Sequence, residues 1–218
     1  IGIYSLFYTL SSVLSTVLNA LNNSWCPFYY DDISEGKWDV LNKKSKNYIE
    51  LFTVLAVGFL LLSREVSYLM ADESYWSGIK TIPILTFAVY FTFMYQFPVN
   101  FEFFHKKTKI IALGTIGAGI LNIILNAFMI PVWGMYGAAL ATAISYLALF
   151  FAHYFIVKHM REHIFHLKIT MFIPGLVGML LGTVLFYVLG PWWYVRWGIG
   201  IAIGSFELYR IYKRKAIF

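Results

Sequence analysis

Apolar residues in this chain run in long, nearly unbroken blocks, without the short-period alternation that gives a soluble helix or strand one wet face. Seven blocks approach the length of a membrane span: residues 1–21, 47–63, 79–101, 110–130, 135–157, 169–189 and 192–209. A helix rises about 1.5 Å per residue, so about 20 residues cross a hydrocarbon core of about 30 Å. The blocks at 47–63 and 192–209 fit least well. The first has a short uncharged run, Leu51 to Ser63, and the second carries Arg196 near its start. The pattern predicts an all-α, polytopic membrane bundle of about seven transmembrane helices.

Composition narrows the class. Of 218 residues, 60% are hydrophobic, 20% aromatic and only 13% charged, against about half and about a quarter for the apolar and charged fractions of soluble domains. Too few polar side chains remain to coat a soluble surface. A single cysteine, Cys26, closes no internal bridge, which excludes a disulfide-stapled secreted scaffold. The chain opens inside an apolar run with no Met and no basic leader, so it is expected to be a fragment whose N-terminal part lies upstream.

The net charge of +6 reports topology. If the first block enters from outside, Arg64, Lys80 and Arg196 fall on the outer side and the other fourteen basic residues on the cytoplasmic side. That asymmetry is the positive-inside signature. It leaves no reason to invoke a nucleic-acid partner. Outer connections are short, so no external catalytic domain fits. The long connection from Asn22 to Lys46, with Trp38, Leu41 and Tyr48 at helical spacing, is expected to be an amphipathic helix on the inner membrane surface.

Polar side chains inside the blocks fall into stripes. Ser5, Thr9, Ser12, Thr16, Asn19 and Asn23 alternate in steps of four and three and share one helical face. Such a face either packs on another helix or walls a hydrated cavity. Thr115, Gly119, Asn122 and Asn126 repeat the device, as do Thr92, Gln96 and Asn100. Amides in hydrocarbon are costly unless paired. Convergence on a shared interior is one solution and local backbone pairing the other. Asn19, Gln96, Asn100, Asn122 and Asn126 are the candidate substrate contacts, with Ser5, Thr9, Ser12, Thr16, Thr92 and Thr115 as candidate cavity lining.

Small residues at Gly137, Ala141, Ser145, Ala148 and Ala152, at Gly175, Gly178 and Gly182, and at Gly200 and Gly204 predict close helix crossings. Pro83 and Pro98 are expected to bend their helix. His159, His163 and His166 have the i, i+4, i+7 spacing of a metal face, but basic neighbours oppose a cation, and no metal or cofactor is expected. The Asn22-Asn23-Ser24 sequon falls on the cytoplasmic side and is not expected to be used. Glu50, Glu102 and Glu207 sit near cytoplasmic helix ends, and Glu102 is expected to form an ordinary i, i+4 pair with Lys106. Nucleophile, phosphate-loop and zinc-hydrolase patterns are missing, so no enzyme is expected.

One stretch is recognisable. Leu121-Asn122-Ile123-Ile124-Leu125-Asn126 leads to Ile130-Pro131, followed by Gly134-Met135-Tyr136-Gly137-Ala138-Ala139-Leu140-Ala141-Thr142 and Ser145-Tyr146. With Tyr4-Ser5-Leu6, Tyr8 and Trp25-Cys26-Pro27, this resembles the C-terminal half of polysaccharide flippases. These form the polysaccharide transporter branch of the multidrug/oligosaccharidyl-lipid/polysaccharide exporter superfamily. The resemblance covers most of residues 1–157 and implies the C-terminal lobe of a MATE-like fold. Residues 158–218 would then hold two additional spans, with the C-terminus cytoplasmic. It further implies alternating-access movement of an undecaprenyl-pyrophosphate-linked glycan across the bacterial cytoplasmic membrane. The lipid bilayer and a missing N-terminal lobe of the same protein would be its partners. A multidrug exporter of the same superfamily, or a membrane-embedded polymerase or acyltransferase, are the alternatives.

Overall fold

The computed structural model describes residues 2–160 and 164–218. Among them, regular structure is helical only. The long helices are α1 Gly2–Ser34, α2 Trp38–Met70, α3 Ile82–Phe104, α4 Thr108–Trp133, α5 Met135–Lys158, α6 Ile173–Val188 and α7 Trp193–Arg214. Short 3-10 segments, Glu73–Thr81 and Ile169–Phe172, lead into α3 and α6.

Five spans are long and apolar enough to cross a membrane: α1, α4, α5, and α3 and α6 with their 3-10 leaders. The other two of the seven expected spans, α2 and α7, form helices but do not meet that measure. Each carries charge at both ends of its apolar stretch.

The Asn22–Lys46 connection is corrected. There is no separate surface helix: α1 runs through Pro27 to Ser34, and after a turn containing Gly36 (φ +67°) α2 begins at Trp38. The reason is burial. Trp25 and Tyr29 lie on the same inward face as Phe7, Leu14 and Leu18, and the Tyr29 hydroxyl donates to the Phe97 carbonyl at 3.3 Å. Those contacts outweigh the one backbone hydrogen bond that Pro27 removes. Leu41 and Tyr48 are buried as part of α2. Pro98 lies inside α3 as expected, whereas Pro83 occupies its first turn, where a missing N–H costs nothing.

By packing, the chain forms two compact units, Ile1–Tyr30 with Ile84–His166, and Asp31–Pro83 with Leu167–Phe218. In this division α2 falls in one unit with α6 and α7.

In the first unit α4 and α5 make an antiparallel hairpin joined by Gly134 alone. Its φ of +54° and ψ of −128° are open only to glycine. Three residues on, Gly137 lets the two helices close: a Cβ there would stand 2.2 Å from the Met129 carbonyl oxygen.

In the second unit α2 packs against α6 and α7. Gly178 and Gly182 meet Thr53 and Val57, the expected small-residue crossing. Arg196 of α7 is fully buried. It pairs with Glu65 of α2 and donates to the Leu61 carbonyl at 3.1 Å and to the Leu189 carbonyl, at the end of α6, at 3.1 Å. At the opposite end Glu50 of α2 pairs with Arg210 and Arg214 of α7. At 1.5 Å per residue, Glu50 and Glu65 lie about 22 Å apart along α2, and the spacing from Arg196 to Arg210 nearly matches it. Two helices too charged to look like spans thus cancel one another's charges at both ends of a shared apolar middle.

Candidate functional site

The polar stripe of α1 faces away from the protein. Ser5, Thr9, Ser12, Thr16, Asn19 and Asn23 are all exposed, whereas Phe7, Leu14, Leu18 and Trp25 on the opposite face are buried. Packing within this chain therefore does not account for the stripe. The hydroxyls of Ser12 and Thr16 donate to the Thr9 and Ser12 carbonyls one turn back, leaving oxygen lone pairs on the surface.

A groove of about 530 Å³ opens in the first unit between α1, α4 and α5. α4 contributes Thr115, Gly119, Asn122 and Asn126. α5 contributes Thr142, Ser145 and Tyr146, and α1 contributes Tyr4 and Tyr8. The hairpin turn at Gly134 sets α4 and α5 side by side, so the i, i+3, i+4 polar positions of each meet along one seam. None of the lining side chains is charged.

The hydrogen bonds of the lining residues decide what the groove offers. The Thr115, Thr142 and Ser145 hydroxyls donate to the Ile111, Ala138 and Ala141 carbonyls at 2.9, 3.0 and 2.7 Å. Their protons are used within their own helices, and they face the groove as acceptors. Asn126 Nδ2 donates to Asn122 Oδ1 at 2.9 Å, while Asn126 Oδ1 is buried with no protein partner among the described residues. The rings of Tyr4 and Tyr8 stand 6.0 Å apart. The result is an uncharged, acceptor-rich groove with aromatic faces.

The candidate contacts divide. Asn122, Asn126 and Thr115 line the groove. Asn100 does not: it is buried, and its Nδ2 donates to Asn22 Oδ1 at 2.9 Å, which makes the two amides a packing pair between α1 and α3. Gln96 is half-buried on α3 with an unpartnered Oε1, and Thr92 donates to the Ala88 carbonyl; neither lines the groove. Asn19, Ser5, Thr9, Ser12 and Thr16 lie on the exposed stripe of α1.

One expectation about charged side chains is overturned. Glu102 forms no simple pair with Lys106, because α3 ends at Phe104 and Lys106 takes a left-handed conformation (φ +57°). Glu102 is instead fully buried against His153 of α5, whose Nδ1 lies 2.7 and 2.9 Å from the two carboxylate oxygens. Of the three spaced histidines, His159 and His166 lie beyond the end of α5. α5 ends at Lys158, His159 Nδ1 bonds the Phe155 carbonyl at 2.8 Å, and His163 lies outside the described residues.

Compared with known protein families, with curated proteins and with solved structures, the chain finds no match.

Proposed function

We propose that this chain is part of a membrane flippase that carries a lipid-linked oligosaccharide across the bacterial cytoplasmic membrane by alternating access. The observation that supports this reading is the groove between α1, α4 and α5. Sugars offer many hydroxyl donors and flat C–H faces. Unpaired amide and hydroxyl acceptors beside tyrosine rings complement both, without the desolvation cost of burying a charge.

Translocation itself requires no covalent step. It requires that a polar head group pass through hydrocarbon in a hydrated, polar-lined space that opens to one side at a time. In this reading the exposed stripe of α1 is a further wall of that space, closed by a second lobe of the same protein. The groove carries no cation, so the side chains that neutralise the pyrophosphate belong to that lobe. With all seven helices spanning, the positive-inside count supports a cytoplasmic C-terminus.

The experiment is complementation of cells lacking the protein, reading surface glycan and protein abundance together. Asn122→Leu and Asn126→Leu should cut glycan export at normal abundance, each by the about 1–3 kcal/mol that an unreplaced hydrogen-bond partner costs. Asn100→Leu strands Asn22 and should instead lower abundance. Normal export at normal abundance for every groove variant would refute the sugar reading, and export of amphipathic drugs without effect on glycan would replace it with a multidrug exporter.

A further inference from the structure

Two guanidiniums reach the turn between α6 and α7, and one carboxylate answers them. Arg196 donates to the Leu189 carbonyl at 3.1 Å and lies 3.5 Å from the Gly190 carbonyl, and its charge is met by Glu65. Arg64, the residue before Glu65 on α2, comes to the same turn: a Cβ on Gly190 would collide with its Nη1. Arg64 Nε donates to the Tyr68 hydroxyl at 3.1 Å, and Cζ stands 6.0 Å from the Tyr68 ring centroid. Its Nη groups have no hydrogen-bond or ion-pair partner among the described residues. Asp72 and Glu73, the exposed carboxylates that follow α2, pair with neither arginine. One positive charge is left at the turn, on a half-buried guanidinium whose outer N–H donors are free.

The surface around this fork is aromatic. Tyr68 meets Trp76 edge-on at 4.7 Å, and Trp193 meets Trp197 at 6.0 Å. These four rings and Trp192 are each more than a third exposed. Trp76 Nε1 is spent on the Ala71 carbonyl and Trp197 Nε1 on Glu65, so both rings present apolar faces outward. Exposed Trp and Tyr of this kind belong at the boundary between lipid and water. A second band sits at the far end of α7, where Tyr209 and Tyr212 are exposed. From Trp193 to Tyr212 the helix rises about 28 Å, close to the about 30 Å of a hydrocarbon core. The two bands fit the two interfaces of one bilayer, which sets the Arg64 fork at headgroup depth.

We propose that Arg64 holds the phosphodiester of a phospholipid headgroup, with Tyr68 and Trp76 against the glycerol and the upper acyl chain. A guanidinium presents paired N–H donors that match two phosphate oxygens. The charges also match: one surplus guanidinium, one phosphodiester. A soluble anion would leave the surrounding rings in water, and a sugar would find the indole donors of Trp76 and Trp197 already used. The site lies in the second unit and the groove in the first, so it stands or falls without any glycan.

The full chain, purified in mild detergent, is mixed with phosphatidylglycerol or phosphatidylethanolamine, and retained lipid is counted by native mass spectrometry. Wild type should keep one molecule of either lipid after loosely held lipid is stripped. Arg64→Gln should weaken retention about tenfold or more, the effect of losing a charge-assisted pair. Gly190→Ala changes no charge, and its Cβ meets the free end of the Arg64 side chain; it should fold normally and weaken retention severalfold. Lys213→Gln removes the same charge at the other end of α7 and should leave retention unchanged. A wild type that keeps no phospholipid overturns the site with no variant needed. Retention equal to wild type in Arg64→Gln or in Gly190→Ala also overturns it, as does an equal loss in Lys213→Gln, which would reduce the effect to a general attraction of basic residues for lipid. Displacement of the lipid by inorganic phosphate, or by a neutral soluble oligosaccharide, would reassign the site to that ligand and overturn the proposal.

Discussion

Removing the guanidinium of Arg196 should destabilise the second unit far more than removing the guanidinium and its carboxylate together. Arg196 is fully buried, and Glu65 keeps about 20% of its side chain exposed. The same guanidinium also satisfies carbonyls of Leu61 and Leu189, so it ties α2 and the end of α6 to α7. Breaking a buried ion pair from one side costs about 3–5 kcal/mol, because the surviving charge is left dry. The residual exposure of Glu65 and its bond from Trp197 Nε1 at 3.2 Å favour the lower end, about 3 kcal/mol for Arg196→Leu. For a chain of this length each kcal/mol shifts the unfolding midpoint by about 2–4 °C, so the single variant should lose about 6–12 °C. The double variant, Arg196→Leu with Glu65→Leu, removes the stranded charge and should recover most of that loss, since a hydrophobic replacement of a buried pair is often neutral. The assay is thermal unfolding of the protein in detergent micelles, with wild type, both single variants and the double variant forming one cycle. Equal losses in Arg196→Leu and in the double variant would refute the reasoning and assign the cost to packing or to the carbonyls alone.

Three further outcomes are expected. Gly137→Ala should lower thermal stability by at least the about 1–3 kcal/mol of an overpacked core, because its Cβ meets the Met129 backbone at 2.2 Å; unchanged stability would mean that the α4–α5 hairpin opens freely. Cysteines placed in the Lys43–Lys46 segment should resist labelling from outside the cell while those in Asp72–Ser77 are labelled, if α2 crosses the membrane paired with α7; outside labelling at Lys43 would overturn this topology. The Ser74 backbone N–H and side chain hold the Asp72 carboxyl below its ordinary range, so that cap is present at neutral pH and is lost as pH falls through the lowered value. Protection of the Ser74 amide, measured against its intrinsic exchange rate at each pH, should then fall on acidification in wild type and be low throughout in Asp72→Ala.

The sequence reveals features that depend on one helix and hides those that depend on two. The α1 stripe and the seam of Thr115, Asn122 and Asn126 follow from helical period alone, and both lie where polar surface is exposed. Asn100 has the same period and is a packing amide, because its partner, Asn22, is 78 positions away. Tyr4, Tyr8 and Tyr146 carry no local mark that separates a groove lining from an apolar core. Their i, i+4 spacing and the adjacency of Tyr146 to Ser145 are the only hints. Glu102 and His153 are separated by 51 positions. The available signal was an acidic residue in the last turn of an otherwise uncharged helix, together with a lone histidine inside an apolar block. Hydropathy alone cannot count α2 and α7, because the charges Glu65 and Arg196, and Glu50 and Arg210 with Arg214, meet across the two helices.

That mutual neutralisation also sets an order of events during biogenesis. Glu65 and Arg196 are 131 positions apart, and synthesis at about 5–20 residues per second separates their appearance by about 7–26 s. For that interval α2 holds an unmatched carboxylate at one end of its apolar stretch and another, Glu50, at the other. α2 must wait at the interface, or in a proteinaceous shelter, until α7 arrives to escort it. Maturation of the second unit is therefore gated by the synthesis of α7, and a ribosome stalled between residues 65 and 196 leaves a nascent chain whose first unit has much of its sequence and whose α2 lacks its ion-pair partner.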